Sequence, residues 1–357
     1  MKKTISILAC AVATLVGANP PLVVQASQTV TQNEKELNDL LRQGREYVAA
    51  EDYNQAIEVY KKAASLDRKN PKIFSGIGYV YASQGNYRAA VKAYEIAIAL
   101  EPNNADFYYA LGYTLANGGD NVKAANAYER AVELNPNNLE HYLAWGVVLL
   151  RIGDYNRAID ASQKVLAVEP DNKKAYEIKS TALLKLGQFE EAVQLLKGAS
   201  KLFPDNKELK IQLANAFLNE GDMYQGLATL EEVHRIEPDN PLVQLQIARI
   251  LEAKQDLPRA LAAYEEIVVI KPDSVEAMAG IGRIQLAQHD YLMAIIAMRR
   301  LLELTPQNPT AYYNLGLALQ KRGREEEAMA VFNQARTFYQ LQGNTAGVEQ
   351  VEALLEE

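Results

Sequence analysis

The chain has 357 residues, of which 37 are basic and 45 acidic, so its formal charge is −8, and 48% of the residues are hydrophobic. The length suits two or three domains or one array of repeats. The acidic balance disfavours a broad nucleic-acid-binding surface, because phosphate binding requires a basic face. The single cysteine excludes an intrachain disulfide and a cysteine-rich zinc or iron–sulfur site.

The first 26 residues have the three-part pattern of a secretory signal peptide. Two lysines precede an apolar run from Ile5 to Ala18, which is shorter than the ~20 residues that span a bilayer. We therefore predict cleavage after Ala26 and export to the periplasm, with an uncleaved N-terminal membrane anchor as the alternative. Cleavage would remove Cys10 and two basic residues, changing the charge from −8 to −10. Residues 27–36 are polar and are expected to form a flexible linker.

A period of 34 residues organises the rest of the chain. Seven prolines follow one another at this spacing without insertion or deletion, and they are taken as position 32 of a repeat. The prolines are Pro102, Pro136, Pro170, Pro204, Pro238, Pro272 and Pro306. Nine repeats then tile residues 37–342: 37–70, 71–104, 105–138, 139–172, 173–206, 207–240, 241–274, 275–308 and 309–342.

Residues at fixed positions of the repeat predict two helices and two tight turns in each unit. Position 34 is Asn in seven repeats and Ser in one, and both residues bond the free amides at a helix start. Six repeats have glycine at position 15, which suits the left-handed residue that ends a helix. Asp or Asn at position 16 of seven repeats predicts the cap of the second helix.

The repeat resembles the tetratricopeptide repeat (TPR) family. Its signature is clearest in the second repeat: Phe74, Ile77, Gly78, Tyr81, Ala90, Tyr94, Ala97 and Pro102. The resemblance implies an all-α, right-handed superhelical solenoid of nine helix hairpins. Residues 343–357 are expected to form an amphipathic capping helix. Four tyrosines at position 24 are expected to pack between helices: Tyr60, Tyr94, Tyr128 and Tyr264.

The resemblance also implies that the first helices line a concave groove, which positions 2, 5, 6, 9, 12 and 13 face. The candidate partner-binding residues are Tyr79, Tyr109, Tyr113, Asn117, Leu143, Val147, Ile178, Gln212, Asn215, Asn219, Gln246, Arg249, Arg283 and Asn314. Their chemistry runs from aromatic through aliphatic to polar and cationic, which suits an extended peptide or a partner helix. We hypothesise that Arg249 and Arg283 hold an acidic group or a C-terminus. Alternatively, Arg249 pairs only with Glu252, three residues further on.

Sequence motifs of catalysis are missing. The three histidines lie in different repeats, and each is expected at the surface or in a turn. No metalloprotease, nucleotide-binding or hydrolase motif occurs, so we predict a non-enzymatic protein without a cofactor. Surface carboxylates could bind Mn²⁺ or Ca²⁺ weakly, but the sequence identifies no metal site. The expected partner is a protein or peptide rather than a nucleic acid or small-molecule substrate, and the expected state is a monomer.

Taken together, the sequence predicts an exported TPR scaffold that acts as an assembly factor. The carboxylate-clamp residues of chaperone-binding TPR proteins are missing, which disfavours a co-chaperone. The array is also similar to the periplasmic processing-associated TPR proteins of cyanobacteria, and that similarity implies photosystem II assembly and manganese delivery. Another alternative is a membrane-anchored assembly factor, associated with a membrane complex for pili, secretion or polysaccharide export.

Overall fold

The computed structural model describes residues 22–356, and within them all regular elements are α-helices. The signal segment is described only from residue 22, so most of it lies outside the described residues. Residues 27–36, expected as a flexible linker, lie within the first helix, α1 (Leu22–Ala49). The chain divides into two compact units, one through Asp154 and one from Tyr155, so the division falls inside the fourth predicted repeat.

The first unit consists of three helix hairpins and one further helix. Hairpin partners and consecutive hairpins contact each other, so each helix packs on its neighbours in the chain. The helices after α1 are α2 (Tyr53–Leu66), α3 (Pro71–Ser83), α4 (Tyr87–Leu100), α5 (Ala105–Asn117), α6 (Asn121–Leu134) and α7 (Leu139–Ile152).

The second unit begins with one helix, continues with five hairpins and ends in a cap. Its helices are α8 (Tyr155–Val168), α9 (Lys173–Lys185), α10 (Phe189–Leu202), α11 (Lys207–Glu220), α12 (Met223–Ile236), α13 (Pro241–Ala253), α14 (Leu257–Ile270), α15 (Val275–Ala287), α16 (Tyr291–Leu304), α17 (Pro309–Lys321), α18 (Glu325–Leu341) and α19 (Thr345–Leu355). The predicted capping helix is α19, which packs on α18 and buries Val351.

The helix starts confirm the capping residues read from the sequence. Asn104, for example, accepts hydrogen bonds from the backbone amides of Asp106 and Phe107 at the start of α5. Such bonds satisfy amides that have no partner inside the helix. Gln188 and Arg324, which replace the acidic residue at position 16, make no side-chain cap.

Position 15 is left-handed even where the sequence has no glycine. Glycine occupies it with positive φ in six repeats. In the other three repeats Glu51, Gln255 and His289 adopt φ of 57°, 62° and 62°. A residue with a Cβ pays a conformational cost there, so the turn geometry of the hairpin overrides the preference of these residues.

The core is built by rings packed against small residues. All four position-24 tyrosines expected in the core are at most 5% exposed. In the first unit, a Cβ on Gly112 would lie 2.9 Å from the Tyr128 ring, closer than real Cβ contacts. In the second unit, Gly316 approaches the Phe332 ring in the same way. The small residue at position 8 therefore lets the two helices of a hairpin approach closely.

Candidate functional site

In each unit, first helices of neighbouring hairpins lie side by side. In the first unit α3 contacts α5, and α5 contacts α7. In the second unit α9 contacts α11, and α15 contacts α17. We call these surfaces the first-helix faces of the two units. The candidate residues from Tyr79 to Val147 belong to the first unit, and those from Ile178 to Asn314 belong to the second.

Two exposed tyrosines dominate the first-helix face of the first unit. Tyr79 on α3 and Tyr113 on α5 occupy position 9 of consecutive repeats, and their exposed fractions are 53% and 54%. A tyrosine ring can pack on another protein while its hydroxyl keeps a polar partner, so an exposed pair of tyrosines suits an interface. These two rings are the side chains of this face best placed to contact a partner.

Tyr109 lies behind this pair and is held by its neighbours. Its ring stacks on His141 with centroids 5.0 Å apart and meets Tyr128 edge-on at 5.5 Å. Burial, and then the nearby Glu140 and Tyr113, raise the pKa of the Tyr109 hydroxyl. Tyr109 is half-buried, so part of its ring can contact a ligand while the rest packs against Tyr128 and His141.

His141 was expected at the surface, but it is buried and only 2% exposed. Its Nδ1 lies 3.3 Å from the Ala131 carbonyl oxygen, and its Nε2 lies 3.1 Å from Asn138 Nδ2. A carbonyl only accepts hydrogen bonds, so Nδ1 carries the proton and Nε2 accepts from the amide. The sequence interpretation failed because the ring satisfies both nitrogens inside the core.

The other candidates of the first unit are less available. Leu143, a candidate groove residue at position 5, is only 5% exposed. Its apolar side chain is buried and belongs to the core. Val147 is half-buried, and Asn117 is exposed. The Asn117 amide donates to the carbonyl oxygen of Tyr113 on its own helix, at 2.9 Å.

In the second unit, the aliphatic candidate Ile178 is 3% exposed and therefore also belongs to the core. Gln212, the next candidate, is bonded to α9: its Nε2 donates to Thr181 Oγ1 at 3.0 Å, and its Oε1 accepts from Ser180 Oγ. Its amide therefore ties two repeats together and is not free for a ligand.

The remaining amides of this face differ in their freedom. Asn219 is exposed and donates to the Asn215 carbonyl oxygen, one turn earlier in α11. Gln246 is half-buried, and its Oε1 has no hydrogen-bond partner among the described residues. Asn215 and Asn314 are also half-buried.

Arg283 forms the strongest polar cluster of this face, with Glu252 on the preceding first helix. Its Nε and a terminal nitrogen donate to the two Glu252 oxygens at 3.1 and 3.0 Å, and the Tyr264 hydroxyl donates to the same carboxylate at 2.8 Å. A bidentate pair of this kind is stronger than a single surface contact. The alternative pairing of Arg249 with Glu252 is not formed as an ion pair, because the neighbouring repeat supplies a better-aligned guanidinium.

The cluster shifts the pKa values of its members. Partial burial would raise the pKa of Glu252, but hydrogen bonds from Arg283 and Tyr264 outweigh it, so the pKa lies below its usual value. Burial and the bond to Glu252 raise the pKa of Tyr264 to about 12. At neutral pH the carboxylate is charged and the phenol keeps its proton.

Arg249 is the cation of this face that stays available. It is exposed and makes no hydrogen bond or ion pair among the described residues, and its charge contributes to the lowered pKa of Glu252. Arg283, by contrast, already holds an internal carboxylate. The hypothesis that both arginines grip a partner's acidic group therefore reduces to Arg249, with Arg283 serving the structure.

Sequence interpretation missed Glu252, Thr181 and His141 as residues that shape the faces. Glu252 and Thr181 occupy positions 12 and 9, which the family's groove pattern includes, so their positions carried a signal. His141 carried none, since its role depends on which groups surround it.

No group of three His, Cys, Asp or Glu side chains that could hold a metal occurs among the described residues. No described helix is both long and apolar enough to cross a membrane.

Comparisons with solved structures find partial similarities, with TM-scores below 0.5. A MamA protein is 25% identical, covering 47% of this chain and 92% of that one, at a TM-score of 0.45. YrrB, described as a TPR protein with an unusual peptide-binding site, is 18% identical over 56% of this chain and 99% of its own, at 0.48. A TPR protein from Parabacteroides merdae is 17% identical over 80% and 99%, at 0.49. The comparison with curated proteins finds no significant match.

Models of the repeat family match the sequence directly. A tetratricopeptide repeat model matches residues 75–138, 143–207 and 280–356, which is more than half of the chain. Two further models, of a TPR repeat and a tetratricopeptide repeat, match residues 44–85 and 183–250. The helix hairpins, their caps and their glycine-to-ring packing agree with these matches. The chain belongs to the tetratricopeptide repeat family and is a protein-binding repeat protein.

Proposed function

We propose that the protein is an exported, non-enzymatic TPR scaffold that binds a segment of another protein on its first-helix faces and acts as an assembly factor. The observation that carries the proposal is the pair Tyr79 and Tyr113, exposed at the same position of consecutive repeats. Rigid aromatic side chains lose little conformational entropy on binding and are frequent anchors of interfaces.

The face is preformed, so the cost of ordering falls mainly on the partner. Tyr109 is fixed by the His141 ring and by Tyr128, which keeps the platform behind the exposed pair rigid. In the second unit, unpaired Arg249 and the nearby amides favour an acidic segment. For a short disordered segment we expect a Kd on the order of micromolar, since part of the interaction energy orders the ligand.

Site-specific photocrosslinking in the native cells tests the proposal. A photoreactive phenylalanine analogue replaces Tyr113 in one variant and Tyr224 in a matched control. Tyr224 is 71% exposed but lies on a second helix, α12, so it samples solvent without touching the first-helix face. The expected result is a discrete crosslinked protein from position 113 and none from position 224.

The same experiment can contradict the proposal. Equal crosslinking from both positions would indicate contact with any neighbouring protein, and no product from position 113 would remove the proposed anchor. A purified peptide from the crosslinked partner should then bind the full chain with saturation, which a chance encounter would not do.

Export is tested at the N-terminus of the protein made in its own cells. Sequencing the mature chain should find Ser27 as the first residue if the signal is cleaved after Ala26. Cell fractionation tests the alternative of an uncleaved membrane anchor. An uncleaved chain that stays in the membrane fraction after a high-salt wash would identify this form. A full-length chain in the soluble fraction would contradict both forms of the proposal.

A further inference from the structure

The second unit contains a cleft on the side of its second helices. It lies between α12 and α14, and α13 forms its floor. One part has a volume of about 210 Å³ and an adjoining part about 290 Å³, and both are lined by His234, Gln244 and Glu266. Apolar walls come from Ile247, Leu251 and Ala263. The candidate residues of the first-helix faces do not line this cleft.

Position 4 of this repeat lacks the ring that two other repeats of the unit have there. In two other repeats of the unit this position is Tyr176 or Tyr312, whose hydroxyls donate to the Pro170 and Pro306 carbonyl oxygens at 3.0 and 3.2 Å. Gln244 keeps the equivalent bond, donating from Nε2 to the Pro238 carbonyl oxygen at 3.1 Å. Its shorter, ring-free side chain leaves the space open.

The preceding repeat fills the same position with a cation. There Lys210 occupies position 4, and its ammonium pairs with Glu232 at position 26. In the cleft the equivalent residues are Gln244 and Glu266, and the contact is a neutral amide donating to the carboxylate at 2.9 Å. No lysine or arginine among the described residues lies within 4.0 Å of the Glu266 carboxylate, whose nearest ring nitrogen is His234 Nε2 at 4.0 Å.

The cleft also contains two buried polar atoms that have no hydrogen-bond partner among the described residues. Gln244 is 3% exposed, and its Oε1 is buried without a partner among the described residues. His234 Nδ1 is likewise buried and unpartnered there. Both Gln244 Nε2 contacts go to acceptors, so the amide orientation is determined and Oε1 remains the free atom. Unsatisfied buried acceptors are costly, which favours a ligand that brings N–H groups.

From this geometry we propose that the cleft binds an arginine side chain of a partner protein. The guanidinium donates to Glu266 and to Gln244 Oε1, and the aliphatic stem packs on Ile247 and Leu251. Arginine fits better than lysine because its planar head carries five donors in a fixed fork, which suits a carboxylate and an amide oxygen that line one cleft. Arg259 at the rim does not compete, because it pairs with Glu231 and Asp256.

Histidine-selective NMR of the full chain tests this site directly. The chain has three histidines, so His141 and His289 serve as internal references for His234. Titration with arginine amide, at an ionic strength held constant with NaCl, should shift the His234 ring signals with saturation and a Kd of about 1–10 mM. Lysine amide and tyrosine amide should bind at least several-fold more weakly.

Substitutions separate binding from folding. Gln244→Lys supplies an internal cation, as Lys210 does one repeat earlier, and should weaken arginine amide binding at least tenfold while the fold is kept. Gln244→Tyr restores the ring of the other repeats and should have the same effect. Glu266→Gln should also weaken binding tenfold, whereas Glu265→Gln, an exposed neighbour on α14, should leave it unchanged.

Three results would overturn the proposal. The first is a shift that does not saturate or that affects all three histidines equally, which would indicate a general solvent effect. The second is equal binding of lysine amide or tyrosine amide, which would remove the assignment to a guanidinium. The third is unchanged affinity in a folded Gln244→Lys protein, which would place the binding elsewhere.

Discussion

Position 9 carries different side chains in two pairs of consecutive repeats, one pair in each unit. In the first unit it presents Tyr79 and Tyr113 to solvent, with no polar partner required. In the second unit it presents Arg249 and Arg283, and Arg283 is bound by Glu252 of the preceding repeat. The two arginines differ because position 12 of the preceding repeat is Glu252 for Arg283 and Leu218 for Arg249.

Some polar side chains on the first-helix faces bond one another across repeats. Gln212 bonds Ser180 and Thr181 one repeat earlier, much as Arg283 bonds Glu252. These bonds strengthen the stack of the second unit and remove side chains from ligand binding. The first unit keeps its anchors open. The number of residues at groove positions is therefore larger than the number free to bind a ligand, because some of the polar ones bond to neighbouring repeats.

The largest effects should come from the core beneath both faces, where the units ought to behave alike. Gly112→Val and Gly316→Val force a side chain into the Tyr128 and Phe332 rings, and each should lower the free energy of unfolding by about 3 kcal/mol. Denaturant unfolding measures this. The control Gly198→Ala meets no neighbour and should raise stability by about 1 kcal/mol. If only one of the two glycine variants lost more than about 1 kcal/mol of unfolding free energy, the two units would not share this packing.

The next effect should distinguish the units in binding. Replacing Tyr79 and Tyr113 together by alanine should weaken binding of the crosslinked partner segment by about 30-fold, since both anchors are lost. Because both rings are exposed, the free energy of unfolding should change by less than about 0.5 kcal/mol. Arg249→Ala is the matched change in the second unit. If it weakened the same segment more than the tyrosine pair, the assignment of the anchors would be wrong.

Glu252→Gln should affect stability where the tyrosine changes do not. It removes the charge that holds Arg283, and we expect a loss of about 1–2 kcal/mol at pH 7. The folded-state pKa of Glu252 is lowered, so its contribution is complete above the ordinary value of 4.5 and is lost as the pH falls below that value. The stability difference between wild type and variant should therefore shrink on acidification, as measured by thermal unfolding. A pH-independent difference would mean that the carboxylate charge is not involved.

The smallest effect concerns the turn at position 15, where it compares the backbone strain of the two units. Gln255→Gly should stabilise the second unit by about 0.5–1 kcal/mol, because glycine adopts the φ of 62° without steric cost. Glu51→Gly should do the same in the first unit, where φ is 57°. The reverse change Gly187→Ala, at φ 75°, should destabilise by a similar amount. Chemical unfolding of the three variants measures these differences.

Much of the fold was predictable because each hairpin is specified locally. The Asn caps, the left-handed turn residues and the small residue facing a ring act within about 34 residues, so their spacing is visible in the sequence. The four position-24 tyrosines were predicted as core, and they are core. The exposure of Tyr79 and Tyr113 follows from the same periodicity.

Contacts between repeats were beyond such reasoning. Leu143 and Ile178 occupy groove positions by count, yet they are buried, because adjacent helices close over apolar side chains wherever packing permits. Both ring nitrogens of His141 form hydrogen bonds inside the core. Glu252 forms its ion pair with Arg283 of the next repeat and not with Arg249 on its own helix. The amino-acid sequence by itself determined the hairpins and their order. The tertiary structure alone decided which side chains stay free, because hydrogen bonding and burial depend on groups that a repeat does not itself contain.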